Sequence, residues 1–442
     1  MVIVQQSTHH LPFGRVFIRK DLFMVYVISQ DSKPLMPCSN VIARLLLKQG
    51  KAKVKRREPF TIKLTCETTN YTQDLTLGVD TGSGTIGTAV SKNNGDIVYM
   101  AEVVVRNDIT DKMTQRAKYR RNRRNRKTRY RKTRWLNRAN SIRNDRFSPT
   151  MQSKLHSHVK EIEYIKSILP VTEMVFETGQ FDTHLLKNPC LANPKVRHWG
   201  YQKGTNYEFE NTRAFVLNRD NYTCQCCKGK HKDSKLEVHH IVFRSQGGSD
   251  EESNLITLCH TCHKDLHSGK INTKLSGKVK GNLKYATQMN SIRKQLFRLY
   301  PNAIETFGYV TKANRLHLMV DKKHYYDACT IATQGNAFNV KSNLYKKKCV
   351  SDGDFQKTKG IRSEQSITTG KICGFRKFDK VKYCGNEYFI KGRMSTGYVF
   401  LMDINGKKID FPNMPRGFKT PKLCNCKRIS ARNYWMIDEL AI

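Results

Sequence analysis

Residues 77–90 read LGVDTGSGTIGTAV: an apolar run ending on Asp80, a Gly/Ser-rich turn, and a second apolar run. Gly82, Gly84 and Gly87 satisfy the spacing of a dinucleotide-binding loop, but that loop must open directly into a helix. Here a second strand and the Asn94-Gly95 hairpin turn follow, so that reading fails. Asp80-Thr81-Gly82 also matches the loop of an aspartic protease, whose chemistry needs two such aspartates sharing one proton. The chain has no second Asp-Thr-Gly, so a homodimer would have to supply it, and nothing else favours proteolysis. The remaining reading places an acidic residue on the first strand of a hairpin sheet, where it binds a catalytic metal ion. It predicts further carboxylates much later in the chain.

Working outward, 60–66 (FTIKLTC), 74–80 (DLTLGVD), 84–91 (GTIGTAVS) and 96–105 (DIVYMAEVVV) read as strands, and 41–53 (VIARLLLKQGKAK) as a short amphipathic helix closed by Gly50. A helix is expected over 150–168, a buried strand over 173–178 (EMVFET) and another helix over 285–300. The segment 316–334 is expected to hold a strand and a helix beginning near His324. Two candidate carboxylates emerge: Glu177 near the end of the apolar strand, and Asp327 in HYYDA. His324 and Asp327 are three apart and share one face of a helix. Two Mg²⁺ ions held by Asp80, Glu177 and Asp327 would clamp the attacking and leaving oxygens of a phosphodiester. That set fits an RNase H-like fold.

Of the 442 residues, 79 are Lys or Arg and 37 Asp or Glu, a formal charge of +42. Such a surplus repels itself in a compact fold unless a polyanion neutralises it, so nucleic acid is the first partner expected. No apolar run is long enough to span a bilayer, and no membrane partner is expected. Residues 112–144 hold 15 Lys+Arg and no carboxylate. The run lacks Gly and Pro, so it reads as a helix, with charge on every face. Phosphates on all sides would make sense of that, with Arg116, Arg120, Arg121, Arg123, Arg124, Arg126, Arg129, Arg131 and Arg134 as the contacts. A solvated basic tail is the plain alternative, but Tyr119, Tyr130 and Trp135 interrupt it with groups that stack or pack.

Fourteen cysteines include two CxxC pairs, Cys224/Cys227 and Cys259/Cys262, with 31 residues between the pairs. Four thiolates at that spacing suit one tetrahedral structural Zn²⁺ in a reducing compartment. Cys226 reads as a spectator, and Cys424-Asn-Cys426 as scattered thiols. Between and after the pairs stand His239, His240, Asn254 and His263.

The order His-His, Asn, His around a zinc knuckle resembles the HNH (ββα-metal) endonucleases over about fifty residues. The resemblance implies that His240 is the general base activating water, that His239 and His263 bind one Mg²⁺, and that Asn254 orients His240 or completes the metal shell. A neutral imidazole can take a proton near pH 7 while a hard cation stabilises charge on the phosphate, which agrees. Adjacent strand residues face opposite sides, so both histidines reach one phosphate only where the strand twists or ends.

Split acidic segments, an Arg-rich helix after the first, and an HNH module between the second and third together resemble RNA-guided nucleases. These are the CRISPR type II effectors and the smaller transposon-encoded IscB proteins, which the compact length and Pro34-Leu35-Met36-Pro37 favour. The resemblance implies an α/β multidomain chain with an RNase H-like (RuvC) fold split in three, an Arg-rich bridge helix, an inserted ββα-metal HNH domain and a small β-rich C-terminal domain. The expected boundaries are an N-terminal extension (1–23), a PLMP domain (24–73), RuvC-like segment I (74–110), bridge helix (111–147), segment II (148–185), linker (186–210), HNH domain (211–272), segment III (273–340) and a domain contacting RNA and the target-adjacent motif (341–442). The family pattern does not account for residues 1–23, which are expected to be dispensable. It implies a monomeric ribonucleoprotein of the cytoplasm that takes a guide (omega) RNA and double-stranded DNA. The competing functions are a guide-independent HNH or junction nuclease, and a non-catalytic RNA-binding transposon accessory protein.

Overall fold

The computed structural model describes residues 24–125, 147–204, 206–246, 248–271, 283–351, 371–394, 396–411 and 420–440. The extension 1–23 and Arg126, Arg129, Arg131 and Arg134 of the basic run therefore lie outside the described residues. The described residues form a mixed α/β protein with four sheets in two compact units, one up to Gly179 and again from Met289, the other Gln180–Gln288. No described helix is long and apolar enough to cross a membrane.

In the first unit, β1 (Met24–Ile28), β2 (Cys38–Ser39), α1 (Asn40–Lys48), β3 (Ala52–Arg56) and β4 (Thr61–Leu64) make a small sheet in the order β2-β1-β4-β3. The helix expected over 41–53 stops at Lys48, because Gly50 takes φ +69° and turns the chain into β3. The antiparallel ribbon β5 (Leu75–Asp80), β6 (Thr85–Lys92) and β7 (Asp96–Val104) follows. Gly95, at φ +82°, makes the tight turn between its last two strands. Next come α2 (Ile109–Asn125), α3 (Pro149–Lys166) and β8 (Glu173–Thr178), which pairs parallel with β5.

The second unit contains α4 (Thr183–Lys187), α5 (Pro194–Gln202), α6 (Thr212–Arg219), the hairpin β9 (Leu236–His240) and β10 (Leu255–Cys259), and α7 (His260–His267). After α8 (Lys284–Leu299), β11 (Ile304–Phe307) adds parallel to β8, followed by α9 (Gly308–His317) and α10 (His324–Ala332). The strand expected within 316–334 is absent there. Residues 308–317 satisfy their backbone in helix α9, and the strand lies just before it at β11. With β12 (Asn339–Val340), β13 (Leu344–Cys349) and the final β19 (Trp435–Leu440), the large sheet runs β11-β8-β5-β6-β7-β13-β19, β12 pairing with β7. Between β13 and β19 the chain makes a separate sheet from β14 (Lys380–Tyr383), β15 (Asn386–Arg393), β16 (Val399–Met402), β17 (Lys408–Ile409) and β18 (Lys427–Ser430).

The middle strands of the large sheet are buried on both faces, which explains their unbroken apolar runs. One face packs on α3 and α8 through Ile162, Ile165, Ile292 and Leu296, and the other on α10. Inside the first core, Lys347 and Glu161 form a fully buried ion pair at 2.8 and 3.0 Å. The Tyr99 hydroxyl donates to Glu161 at 2.8 Å, and Lys347 lies over the Tyr164 ring at 4.2 Å. Removing either charge alone from such a pair costs about 3–5 kcal/mol, so it locks β13 to α3 and β7.

Candidate active sites

Strand pairing places Asp80 directly beside Glu177, since β5 and β8 run parallel with those two residues in register. Helix α10 then lies unusually close to the same strands. A Cβ on Gly87 would come within 2.0 Å of the His324 carbonyl, and one on Gly78 within 2.5 Å of the Ala328 carbonyl. With no side chain at either position, α10 sits on the sheet and brings His324 and Asp327 to Asp80. His324 Nδ1 is 2.7 Å from Asp80 Oδ2. That bond raises the His324 value above its ordinary range despite burial, which opposes it. Asp327 is anchored by Arg315 of α9 at 3.0 Å. All four candidate residues of the carboxylate cluster thus converge from three distant segments.

The cluster carries more negative charge than its own hydrogen bonds satisfy. Glu177 Oε2 and Thr311 Oγ1 are buried without a hydrogen-bond partner among the described residues. Burial first, then the Asp80 and Asp327 carboxylates, push Glu177 up to about 7, with the nearby Thr311 hydroxyl opposing. An orphaned carboxylate oxygen among like charges is a fit for a hard divalent cation. A raised folded-state value means that protonated Glu177 is compatible with the fold, while its ionised form costs stability as pH rises through about 7. Without metal, Glu177→Gln is therefore expected to be more stable than the wild type at pH 8 by about 1–2 kcal/mol after allowing for partial exposure, and nearly equal at pH 5. Adding a divalent cation should raise the melting temperature of the wild type more than that of the variant, which keeps the histidine cluster but lacks the Glu177 charge. Equal melts at both pH values would show that the carboxylate carries no such charge stress.

The second unit holds two metal-competent clusters. The thiols of Cys224, Cys227, Cys259 and Cys262 lie within 4.8 Å of one another, consistent with one zinc ion. Burial opposes ionisation of Cys227, yet backbone N–H groups of His231 and Gly229 and the neighbouring thiols hold it down at about 6, whereas burial and the neighbouring thiols push Cys259 and Cys262 up. The nitrogens of His239, His263 and His267 form the other cluster, again within 4.8 Å. Their orientation follows from local structure. Glu237 and His239 alternate onto one face of β9, while His263 and His267, four apart on α7, share the helix face opposite. Glu237 Oε2 accepts from His263 Nδ1 at 2.7 Å, which leaves His263 Nε2 pointing at His267 Nε2, 3.3 Å away. Burial, and then the neighbouring histidines, lower His239 to about 4, so it is a neutral ligand near pH 7.

His240 ends β9 on the other face, its Nε2 2.7 Å from Asp250, which Arg244 also engages. Asn254 is fully buried. Its amide accepts from Val242 N at 2.8 Å and donates to the carbonyls of Val242 and Ser249. Its backbone carbonyl accepts from Ile241 N at 2.8 Å. It therefore fixes the loop just after His240, and its contacts are with backbone rather than with the imidazole.

Residues 224–269 match the family described as HNH endonuclease, and residues 25–204 the family described as RRXRR protein. Anaredoxin of Nostoc sp. is 35% identical over 65 residues, covering 15% of this chain and 83% of that protein. The chain carries an HNH endonuclease domain. The type IV methyl-directed restriction enzyme EcoKMcrA of Escherichia coli strain K12 is likewise 35% identical over 65 residues, 13% of this chain and 23% of that enzyme. The chain thus spans less than a quarter of the restriction enzyme's length. It is a metal-dependent DNA endonuclease, and its HNH module carries the metal-competent histidines just described.

Within the HNH module, reading the motif forward stopped at His263 and missed His267 and Glu237. The signals were the four-residue step from His263 along a helix and the two-residue step back from His239 along a strand. Glu237 fixes which nitrogen His263 offers to a metal, and such partners typically matter 10–100-fold. Glu237→Ala is expected to weaken Mn²⁺ or Mg²⁺ binding at the histidines by about that factor, and Glu237→Gln by less, because its amide oxygen still accepts. Calorimetric titration of the zinc-loaded protein measures this, and an affinity unchanged in Glu237→Ala would leave Glu237 only a packing role.

Proposed function

We propose that this protein is an RNA-guided DNA endonuclease of the IscB kind with two active sites. The observation that carries the reading is the assembly of Asp80, Glu177, His324 and Asp327 from three segments that flank an Arg-rich run and the HNH module. The strand order β7-β6-β5-β8-β11, antiparallel through the first three and parallel through the last, supports an RNase H-like core for that cluster. The RRXRR match supports it further, since that family occurs in IscB-like and CRISPR-effector-like nucleases.

In this reading the HNH site cuts the guide-paired strand. His240 takes a proton from water, while a Mg²⁺ ion at His239, His263 and His267 supplies charge stabilisation when bound. Asp80, Glu177 and Asp327 hold the Mg²⁺ of the second site, and His324 holds or moves a proton beside Asp80 as the displaced strand is hydrolysed. Arg116, Arg120 and Arg121 on α2 belong to a bridge helix that neutralises RNA phosphates. Base pairing with the guide reads the sequence, and the C-terminal residues read a short flanking motif. The likeness to a restriction enzyme favours a second reading, a guide-independent nuclease, confined to the HNH module.

Sequencing and quantifying the RNA that co-purifies separates the two readings. One defined RNA per chain, and cleavage of a plasmid programmed by changing its guide segment, is expected. Cleavage by RNA-free protein at sites of its own choosing would replace guided function with the second reading.

A further inference from the structure

Helix α9 has two working faces. Gly308, Thr311 and Arg315, spaced i, i+3 and i+7, face the carboxylates. A Cβ on Gly308 would lie 3.1 Å from Glu177 Oε1, Thr311 neighbours Glu177, and Arg315 holds Asp327. Tyr309, Lys312 and Leu316 repeat the same spacing one position on, and these three are exposed. Tyr309 is 73% and Leu316 60% exposed, and Met319 just beyond the helix 77%. The Tyr309 ring lies nearly parallel to Phe307, with 6° between planes and centroids 6.0 Å apart. The two rings are aligned, and most of the Tyr309 side chain stays open to solvent. The ten residues of α9 contain no carboxylate.

We propose that this outward face is a track on which unpaired bases of single-stranded DNA stack as the strand reaches the carboxylate site. The proposal rests on the nuclease reading of that site. A rigid aromatic left in water gains nothing for folding, but it offers a π-face that any base can use. Lys312, set between Tyr309 and Leu316, interrupts the apolar stripe that a protein helix would need and suits a phosphate instead. Bases within a duplex are already stacked on each other, so the fitting occupant is a single strand. Stacking is sequence-tolerant, as an enzyme guided by RNA pairing requires.

The test uses the full chain with its co-purified RNA and oligonucleotides carrying 2-aminopurine. Tyr309→Ala should weaken single-strand binding roughly tenfold and lose the stacking quench, while Tyr309→Phe keeps both. Duplex binding should not change. Lys312→Ala should reduce the salt slope of binding by about one. In cleavage, Tyr309→Ala should raise KM for the displaced strand with kcat kept, and leave the guide-paired strand's cut intact. Unchanged single-strand affinity and quench in Tyr309→Ala, with one cut still dependent on Asp80, would overturn the track alone. Both cuts surviving Asp80→Ala would overturn the nuclease reading, and the track with it.

Discussion

Replacing Cys262 with serine is expected to unfold the zinc-binding part of the HNH module and to abolish cutting by the HNH site. The buried apolar set around Cys224, Leu258, Cys259 and Cys262 is small, with the thiols themselves forming most of it. Such a module has little hydrophobic surface to offset its chain entropy, so metal binding has to supply the difference. Structural zinc contributes on the order of 10–16 kcal/mol at neutral pH in comparable small modules, far above any single contact here. Three thiolates and a serine hydroxyl lose most of that. Because β9 and α7 carry the histidines of the metal-competent cluster, losing the thiolate site scatters those histidines as well. Limited proteolysis across 220–267, zinc stoichiometry by native mass spectrometry and strand-resolved cleavage together measure this. Full HNH cutting by a protein without zinc would reject the four-cysteine assignment.

The parts legible in the sequence were those whose chemistry has a fixed local spacing. The paired CxxC spacing brought four thiols together without knowledge of the fold. The apolar run ending on Asp80 and the Asn94-Gly95 turn defined the β5-β6-β7 ribbon, because alternation and turn chemistry act over a few residues. Glu177 and Asp327 could be nominated from strand and helix patterns, but their approach to Asp80 depends on α10 lying on Gly78 and Gly87, a tertiary contact. Thr311 and Arg315 were invisible for the same reason. In sequence they fall outside every expected element, and only the neighbouring strands and helix give them carboxylates to hold. The strand expected near 316–323 failed because short apolar runs suit either structure, and the parallel partner that settles the matter, β8, is over a hundred residues earlier. Asn254 shows a further limit. A motif can supply the residue, but its bonds to Val242 and Ser249 are a property of the folded loop.

Single substitutions at the two clusters should convert a double-strand cutter into two complementary nickases. His240 belongs to the unit Gln180–Gln288, and Asp80 to the unit formed by the rest of the chain, so neither side chain helps to build the other's cluster. His240→Ala removes the proposed base while His239, His263 and His267 keep their geometry. Loss of a general base typically lowers the rate about 10²–10⁴-fold, which should confine the loss to the guide-paired strand. Asp80→Ala removes the residue shared by Glu177 across the strand pair and by His324 across the helix, so the carboxylate cluster loses its centre. The displaced strand should then remain whole while the guide-paired strand is still cut. RNA and DNA affinity should stay near wild type in both variants, because the basic surface and base pairing supply most of it. End-labelling each strand of a guided target separately reads the result directly. Loss of both cuts in both variants, with binding retained, would show that the two clusters act as one obligately coupled site.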